Sequence, residues 1–363
     1  MRCSLARVSL FLATIIATAA TAAEPAPQSA TPSPTPPAWR AQASGATAEL
    51  RGLSVVSDTV AWASGAKGTV LLTTDGANWQ VFQVAGAEKL DFRDIHAIDA
   101  RSALVMSAGP GALSRIYRTD DGGASWHLLA TNQFAEGFWD AMAFWDADNG
   151  IVFGDPVNGK FQVYVTADGG TTWRLGEGKG LDALDKEGAF AASGTCLSVA
   201  GARDAWIVTG GAQSSRVFHS ADRGANWQAS SLPIPAGAAA RGAFSVGFAN
   251  ARVGVAAGGD YKEPALAGVN GARTIDGGAS WTAATILPAG YMSVVMPVPG
   301  APASFVAAGL AGSGYSLDGG RTWAVLDRIP MNTVGFASAT TGWAVGPKGL
   351  LMKYAGPVLA TRP

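Results

Sequence analysis

Thr119-Asp-Asp121-Gly-Gly-Ala-Ser-Trp126 is one of six copies of a short motif in this chain of 363 residues. Each copy has a Ser or Thr, an Asp two residues later, a turn that contains Gly, and a Trp at its end. The other copies begin at Thr73, Thr166, Ser220, Thr274 and Ser316. Successive copies start between 42 residues apart (Thr274 to Ser316) and 54 residues apart (Ser220 to Thr274). A period in this range is typical of β-propeller blades.

The Asp of each copy is predicted to close a turn. An Asp carboxylate can accept hydrogen bonds from backbone N–H groups a few residues later, and Gly permits the positive φ that such a turn needs. The Trp then begins the next strand as a large apolar anchor between neighbouring sheets. We therefore interpret the six aspartates as structural residues rather than as catalytic acids: Asp75, Asp121, Asp168, Asp222, Asp276 and Asp318.

Two other groups of short strands each occur seven times. One group ends in small residues and Gly, as in residues 61–65, and the other group precedes it, as in residues 53–56. The chain ends with one more strand, residues 350–354, and no seventh motif, whereas Trp39 lies before the first strand pair. The sequence thus predicts an all-β, seven-bladed β-propeller whose N-terminal strand completes the last blade. Closure of this kind removes exposed sheet edges.

The N-terminal region predicts an exported protein. Residues 1–23 have the pattern of a cleaved signal peptide, because Arg2 and Arg7 precede an apolar run that is too short to span a membrane. Residues 24–38 contain six prolines and are predicted to form an extended linker. We place the propeller at residues 39–356 and a C-terminal tail at residues 357–363. The expected location is periplasmic or otherwise secreted, with no transmembrane span in the mature chain.

Charge and composition exclude several classes of function. Without Arg2 and Arg7, 24 basic and 27 acidic residues remain, a net charge of −3 that argues against nucleic-acid binding. Cys196 is then the one cysteine left, and we expect it to be a small core residue. The three histidines have no metal-ligand spacing, so no metal and no other cofactor is predicted. The expected state is a monomer.

The candidate binding residues lie in loops of one face. Chain direction alternates within a blade, so the segments that enter first strands and leave second strands share the face opposite the aspartate turns. On that face we select a mixed-charge set with Trp139 and Tyr291 as apolar anchors. The set consists of Arg51, Arg93, Trp139, Asp140, Asp155, Arg241, Asp260, Tyr261 and Tyr291. Alternatively, Arg51 and Arg93 pair with nearby carboxylates and hold neighbouring blades together.

The longest irregular segment covers residues 176–192 and carries several charged residues. Its length and charge predict a solvated loop over one face. A lid or a docking arm is the alternative interpretation.

The motif is identified as the Asp-box of bacterial-neuraminidase-type repeats. Over residues 39–356, the chain resembles the photosystem II stability and assembly factor family, through its Asp-boxes, its closing N-terminal strand, and Arg51 and Arg93 at the blade mouths. This resemblance implies a non-catalytic scaffold that binds a segment of a membrane protein through a basic patch. The chain departs from that pattern in placing Asp140, Asp155 and Asp260 beside the arginines.

The expected function is therefore an exported scaffold that binds a protein partner through the face opposite the Asp-boxes. The first alternative is a propeller that binds or hydrolyses glycans, as sialidases do with three arginines and a Tyr nucleophile, here Arg51, Arg93, Arg241 and Tyr291. Glycoside hydrolysis by two carboxylates would use Asp155 and Asp260. A cofactor-dependent enzyme with an axial pocket is the other alternative.

Overall fold

The computed structural model describes residues 38–360. These residues form 28 strands in seven antiparallel sheets of four strands, which are the blades of a ring. The predicted all-β, seven-bladed propeller is therefore confirmed. The predicted signal peptide, the predicted linker up to residue 37, and residues 361–363 of the tail lie outside the described residues. Within residues 38–360, no helix is long and apolar enough to cross a membrane.

The first three blades follow the chain order. Blade 1 has β2 Leu50–Val55, β3 Ala61–Gly65, β4 Thr69–Thr73 and β5 Gln80–Gln83. Blade 2 has β6 Phe92–Ala97, β7 Ala103–Ser107, β8 Arg115–Thr119 and β9 His127–Thr131. Blade 3 has β10 Trp139–Phe144, β11 Gly150–Val157, β12 Lys160–Thr166 and β13 Arg174–Leu175.

The next three blades continue the same order. Blade 4 has β14 Leu197–Ala200, β15 Asp204–Val208, β16 Ser215–Ser220 and β17 Gln228–Leu232. Blade 5 has β18 Arg241–Phe248, β19 Gly254–Asp260, β20 Gly271–Thr274 and β21 Thr282–Ala284. Blade 6 has β22 Val294–Val298, β23 Ala301–Gly309, β24 Gly312–Ser316 and β25 Ala324–Asp327.

Blade 7 joins the two ends of the chain. It contains β26 Thr333–Phe336, β27 Gly342–Val345 and β28 Leu351–Tyr354, and its outer strand is β1, Trp39–Ala41. Trp39 pairs with Tyr354 in the antiparallel register, and its indole N–H donates to the Ser313 hydroxyl of blade 6 at 2.9 Å. The prediction that the N-terminal strand closes the ring is confirmed. This strand also connects blade 7 to blade 6.

The six aspartate turns lie between the third and fourth strands of blades 1 to 6. At Asp121, one carboxylate oxygen accepts the Ser125 backbone N–H at 2.9 Å and the other accepts the Ser125 hydroxyl at 2.6 Å. The Ser125 hydroxyl and backbone N–H both lower the pKa of Asp121, to about 2, because they stabilise the ionised form. Gly122 and Gly123 adopt φ values of 78° and 89°, where a side chain would be strained. The other five carboxylates accept equivalent hydrogen bonds.

Candidate functional site: an axial cavity

A cavity of about 440 Å³ opens on the face opposite the aspartate turns. Its walls come from blades 1, 2, 3, 5, 6 and 7, and from the connection between blades 3 and 4. Only a position near the propeller axis can be reached from so many blades. A volume of this size is in the range of ligand-binding pockets. We call this feature the axial cavity.

Six of the nine predicted binding residues line the axial cavity: Arg51, Arg93, Asp140, Asp155, Tyr261 and Tyr291. Arg241 and Asp260 do not line it; they face each other as Cα partners at the start of β18 and the end of β19. The predicted set lacks the other lining residues, which are Glu49, Phe138, Phe190, Phe244, Leu310, Asn332 and three alanines at positions 189, 191 and 192.

Trp139 is not a surface anchor, and that prediction is wrong. Its side chain is 1% exposed and packs edge-to-face on Tyr164, with ring centroids 5.2 Å apart. Trp139 stays paired with Gly154 and packs between blades 2 and 3, whereas Asp140 is the residue that the strand register skips.

β-Bulges direct side chains toward the axis. The strand register skips one residue near the start of β2, β6, β10 and β18, and one near the end of β11. The skipped residues are Arg51, Arg93, Asp140, Phe244 and Asp155, and all five line the axial cavity. A bulge leaves its extra residue outside the ladder and changes the direction of its side chain. Because the first strands of four blades share this feature, an alignment of those strands would have identified Phe244 as a site residue.

Part of the long connection between blades 3 and 4 crosses the axis. We call residues 187–193 the axial segment. The ring of Phe190 stacks on Phe244, with centroids 3.7 Å apart, and the Ser193 hydroxyl donates to the Ser293 carbonyl of the opposite wall at 2.8 Å. Glu187 is buried and forms an ion pair with Arg216. The prediction of a solvated loop is therefore wrong for this segment, because its small and apolar residues are packed in the centre of the ring.

The two arginines hold the axial segment in place. Arg51 donates to the Ala192 carbonyl at 3.1 Å, and Arg93 donates to the Ala191 carbonyl at 3.2 Å. Each guanidinium also pairs with a carboxylate two residues earlier in its own blade, Arg51 with Glu49 at 2.5 Å and Arg93 with Asp91 at 2.8 Å. The arginines thus pair with nearby carboxylates, but within a blade rather than between neighbouring blades.

Two carboxyl groups of blade 3 are buried at the cavity wall. Burial raises the pKa of Asp140 well above its usual value, and the charge of Asp155 raises it further, whereas Arg93 lowers it. Burial also raises the pKa of Asp155, to about 6. The Ala189 N–H, which donates to Asp155 Oδ1 at 2.8 Å, has the opposite and smaller effect on this pKa. Asp140 is 1% exposed, and its Oδ2 has no hydrogen-bond partner among the described residues. The environment of Asp140 therefore favours the protonated form more than solvent does.

The structure does not bring together the residues that the sequence suggested for a sialidase-like site or for glycoside hydrolysis by Asp155 and Asp260. Arg241 lies outside the cavity wall, so the three arginines of a sialidase-like site do not converge. Burial raises the pKa of the Tyr291 hydroxyl, which makes it a poorer nucleophile. Asp260 is also outside the wall, so it does not form a carboxyl pair with Asp155. The carboxyl group that interacts with the charge of Asp155 is Asp140. Among residues 38–360, no group of three or more His, Cys, Asp or Glu is arranged to hold a metal ion.

Comparisons with known proteins give matches by structure. No family model matches the sequence, and no curated protein matches it. The fold is similar to YCF48 bound to a D1 peptide, at 17% identity and a TM-score of 0.64, over 88% of this chain and 97% of that one. YCF48 from Cyanidioschyzon merolae is similar at 16% identity and a TM-score of 0.59, over 87% of this chain and 98% of that one.

An ancestral GH74 enzyme is also similar, at 14% identity and a TM-score of 0.60. The alignment covers 87% of this chain but 46% of the enzyme, so the chain spans about half of its length. At these identities, the matches show likeness of fold. The resemblance that the sequence indicated is thus found again in the structure: this seven-bladed propeller is similar in fold to YCF48, a photosystem II assembly factor.

Proposed function

We propose that this chain is an exported, non-catalytic scaffold that binds a protein partner at the axial cavity. The observation that carries the proposal is the convergence of five bulged side chains from four blades on one cavity. The fold supplies rigid strands behind each of these side chains, which favours recognition of a defined ligand. The predicted signal peptide supports export.

A protein partner is favoured by the composition of the cavity rim and by the fold comparison. Tyr261 is 44% exposed beside the buried Tyr291, so the rim offers an aromatic contact of the kind that is enriched in protein interfaces. YCF48, which has a similar fold over nearly its whole length, has been solved with a D1 peptide bound. A segment of a membrane protein is the partner that this likeness suggests for the present chain.

Site-specific photo-cross-linking in the native host tests this proposal. A photoreactive residue replaces Tyr261 at the cavity rim, and the matched control carries it at Thr171, an exposed position in an aspartate turn of the opposite face. We expect one discrete protein adduct from position 261 and none from position 171. Equal adducts from both positions, or none from position 261 in folded protein, would contradict partner binding at this cavity.

Glycoside hydrolysis is the second candidate, and the pair Asp140 and Asp155 is the observation that favours it. A carboxyl group that keeps its proton can act as a general acid beside an ionised carboxylate. If the chain is a glycosidase, hydrolysis of a polysaccharide panel will be measurable and will be lost in both Asp140→Asn and Asp155→Asn. We expect no hydrolysis by the unmodified protein.

A further inference from the structure

Asp140 and Asp155 differ from the other charged groups at the cavity in having no cationic partner. Glu49 and Asp91 compensate Arg51 and Arg93 within their own blades. None of the ion pairs within residues 38–360 includes Asp140 or Asp155. Asp140 Oδ2 is buried without a donor, and a buried acceptor without a donor costs free energy. The two carboxyl groups therefore lack a donor that carries positive charge.

Another part of the cavity wall is aromatic. Phe244 forms its centre, with Phe190 stacked on one side and Tyr291 in an edge-to-face contact at 4.8 Å. Tyr261 approaches Phe244 edge-to-face at 6.1 Å, and Phe138 lines the cavity next to Asp140. The faces of aromatic rings attract cations, and the rings also cover apolar carbon chains. A cavity lined by both carboxyl groups and aromatic rings is suited to a cation on an aliphatic stem.

We propose that the axial cavity binds a primary ammonium group, which donates to the carboxyl groups of Asp140 and Asp155 while the aromatic wall covers its aliphatic chain. The ammonium group is that of a lysine side chain of the protein partner, an assignment that rests on the proposed function.

The two carboxyl acceptors favour a primary ammonium group over a guanidinium or a quaternary ammonium group. An ammonium has three donors in different directions, which suits two acceptors on separate residues. A guanidinium presents a planar fork that matches both oxygens of one carboxylate, and Asp155 Oδ1 already accepts the Ala189 N–H. A quaternary ammonium has no N–H and would leave both carboxyl groups without a donor.

Binding of an ammonium group should release a proton. In the free protein, the charged groups that influence the Asp140 carboxyl are Asp155, which favours protonation, and Arg93, which opposes it. Asp94 and Cys196 lie in the same buried region, and burial raises the pKa of both groups, to about 8 for Asp94. The bound ammonium favours the ionised form of Asp140. Affinity should therefore rise with pH across the range in which the free carboxyl groups lose their protons.

The test uses isothermal titration calorimetry with the full mature chain and Nα-acetyl-lysine methylamide. The uncharged control ligand is Nα-acetyl-norleucine methylamide, which has the same aliphatic chain without the amine. We expect binding of the lysine compound only, with affinity about tenfold or more higher at pH 7.5 than at pH 5.5, since an alkylammonium stays protonated over this range. Titrations in two buffers with different heats of ionisation should show proton release.

Three variants make the result specific. Asp140→Asn and Asp155→Asn should each weaken binding at least tenfold at pH 7.5, and Asp140→Asn should also abolish proton release. Asp148→Asn, at an exposed position in the hairpin loop of the same blade, should bind as the unmodified protein does. Unchanged binding by Asp140→Asn, in protein that melts no lower than the unmodified chain, would overturn the inference, and so would pH-independent binding.

Further outcomes separate this inference from the proposed function. If position 261 forms a protein adduct but the lysine compound does not bind, partner binding stands and the ammonium site is wrong. If n-pentylamine binds at least tenfold more tightly than the lysine compound, the cavity excludes a peptide backbone, which overturns the assignment to a partner lysine.

Discussion

The two faces of this propeller use aspartate in opposite ways. On one face, the Asp121 carboxylate is exposed and bonded to neighbours in its own turn, which lower its pKa to about 2. On the other face, Asp140 is buried with one oxygen unpartnered, and burial raises its pKa. The first arrangement stabilises a turn fully above the usual Asp pKa of about 4, and this stability is lost as the pH falls through about 2. The second costs stability and becomes useful only when a ligand supplies the missing donor.

The difference also lies in the range of the interactions. Each aspartate turn is complete within eight residues or fewer and is repeated in six blades. The axial cavity requires six blades and the axial segment, so it exists only when the ring is closed. Local repeats therefore build the frame, and departures from the repeat build the site.

The largest loss of stability is expected from opening the ring, because this removes the cavity and leaves the individual aspartate turns intact. Trp39→Ala removes a side chain that is 2% exposed, packs on Phe336 and Tyr354, and donates to Ser313. We expect a loss of about 3–5 kcal/mol in the free energy of unfolding. The melting temperature should fall on the order of 5–10 °C.

Arg40→Ala is the matched control for Trp39→Ala, since Arg40 is the next residue of the same strand and is exposed. It should change the melting temperature by less than about 1 °C. Equal melting temperatures for the two variants, measured by differential scanning calorimetry, would show that β1 does not stabilise the ring.

The frame could be predicted from the sequence because its signals are local. The Asp, Gly and Trp of each turn lie within a few residues, and the count of seven strand pairs against six motifs indicated where the missing strand was. The closing strand is a long-range contact, between Trp39 and Tyr354, but the count required it. In a repeat fold, the pairing of strands that are distant in sequence can thus be inferred by counting the strands and motifs of each repeat.

The site could be predicted only in part. Its position followed from the alternation of strand direction, which placed Arg51, Arg93, Asp140 and Asp155 at one face. The direction of each side chain depends on bulges that a single blade does not reveal, so Trp139 was assigned to the surface beside Asp140. The axial segment was missed because the charged residues that precede it, at positions 177–186, dominated the prediction of solvation for the whole irregular stretch. The axial segment itself is held by contacts with Arg51, Arg93 and Ser293 of other blades.

Removing an aspartate from a turn should have an intermediate effect on stability and little effect on the cavity. Asp318 accepts the backbone N–H groups of Arg321 and Thr322 at 3.0 and 2.9 Å, and the Thr322 hydroxyl at 2.6 Å. In Asp318→Ala these donors turn to water, and we expect a loss of about 1–2 kcal/mol, measured by urea unfolding. Binding of the lysine compound should be unchanged. A parallel loss of binding would mean that turns and cavity are coupled.

The smallest effect, and one of opposite sign, is expected from Asp140→Asn. The folded protein holds a proton on Asp140 at pH values where the unfolded chain has lost it, because burial raises the folded-state pKa. This group therefore lowers stability as pH rises above about 4, the usual pKa of Asp, toward its folded value. Asn is neutral at every pH, so the variant should melt about 2–4 °C higher at pH 8 and show no gain at pH 4.

The pH dependence of this variant separates the two faces most sharply. Replacing a turn aspartate such as Asp121 by Asn should give the reverse result. Stability should be lower than in the unmodified chain at neutral pH, and the difference should disappear at low pH. Asp155 titrates near pH 6 and His96 has a pKa lowered by burial to about 4, so both contribute to the pH profile of the unmodified chain. The contribution of His96 is the same in both proteins and cancels in the difference between Asp140→Asn and the unmodified chain, whereas that of Asp155 changes because its charge interacts with Asp140. A lower melting temperature for Asp140→Asn at pH 8 would mean that the carboxyl group stabilises the empty cavity, and the contrast between the faces would not hold.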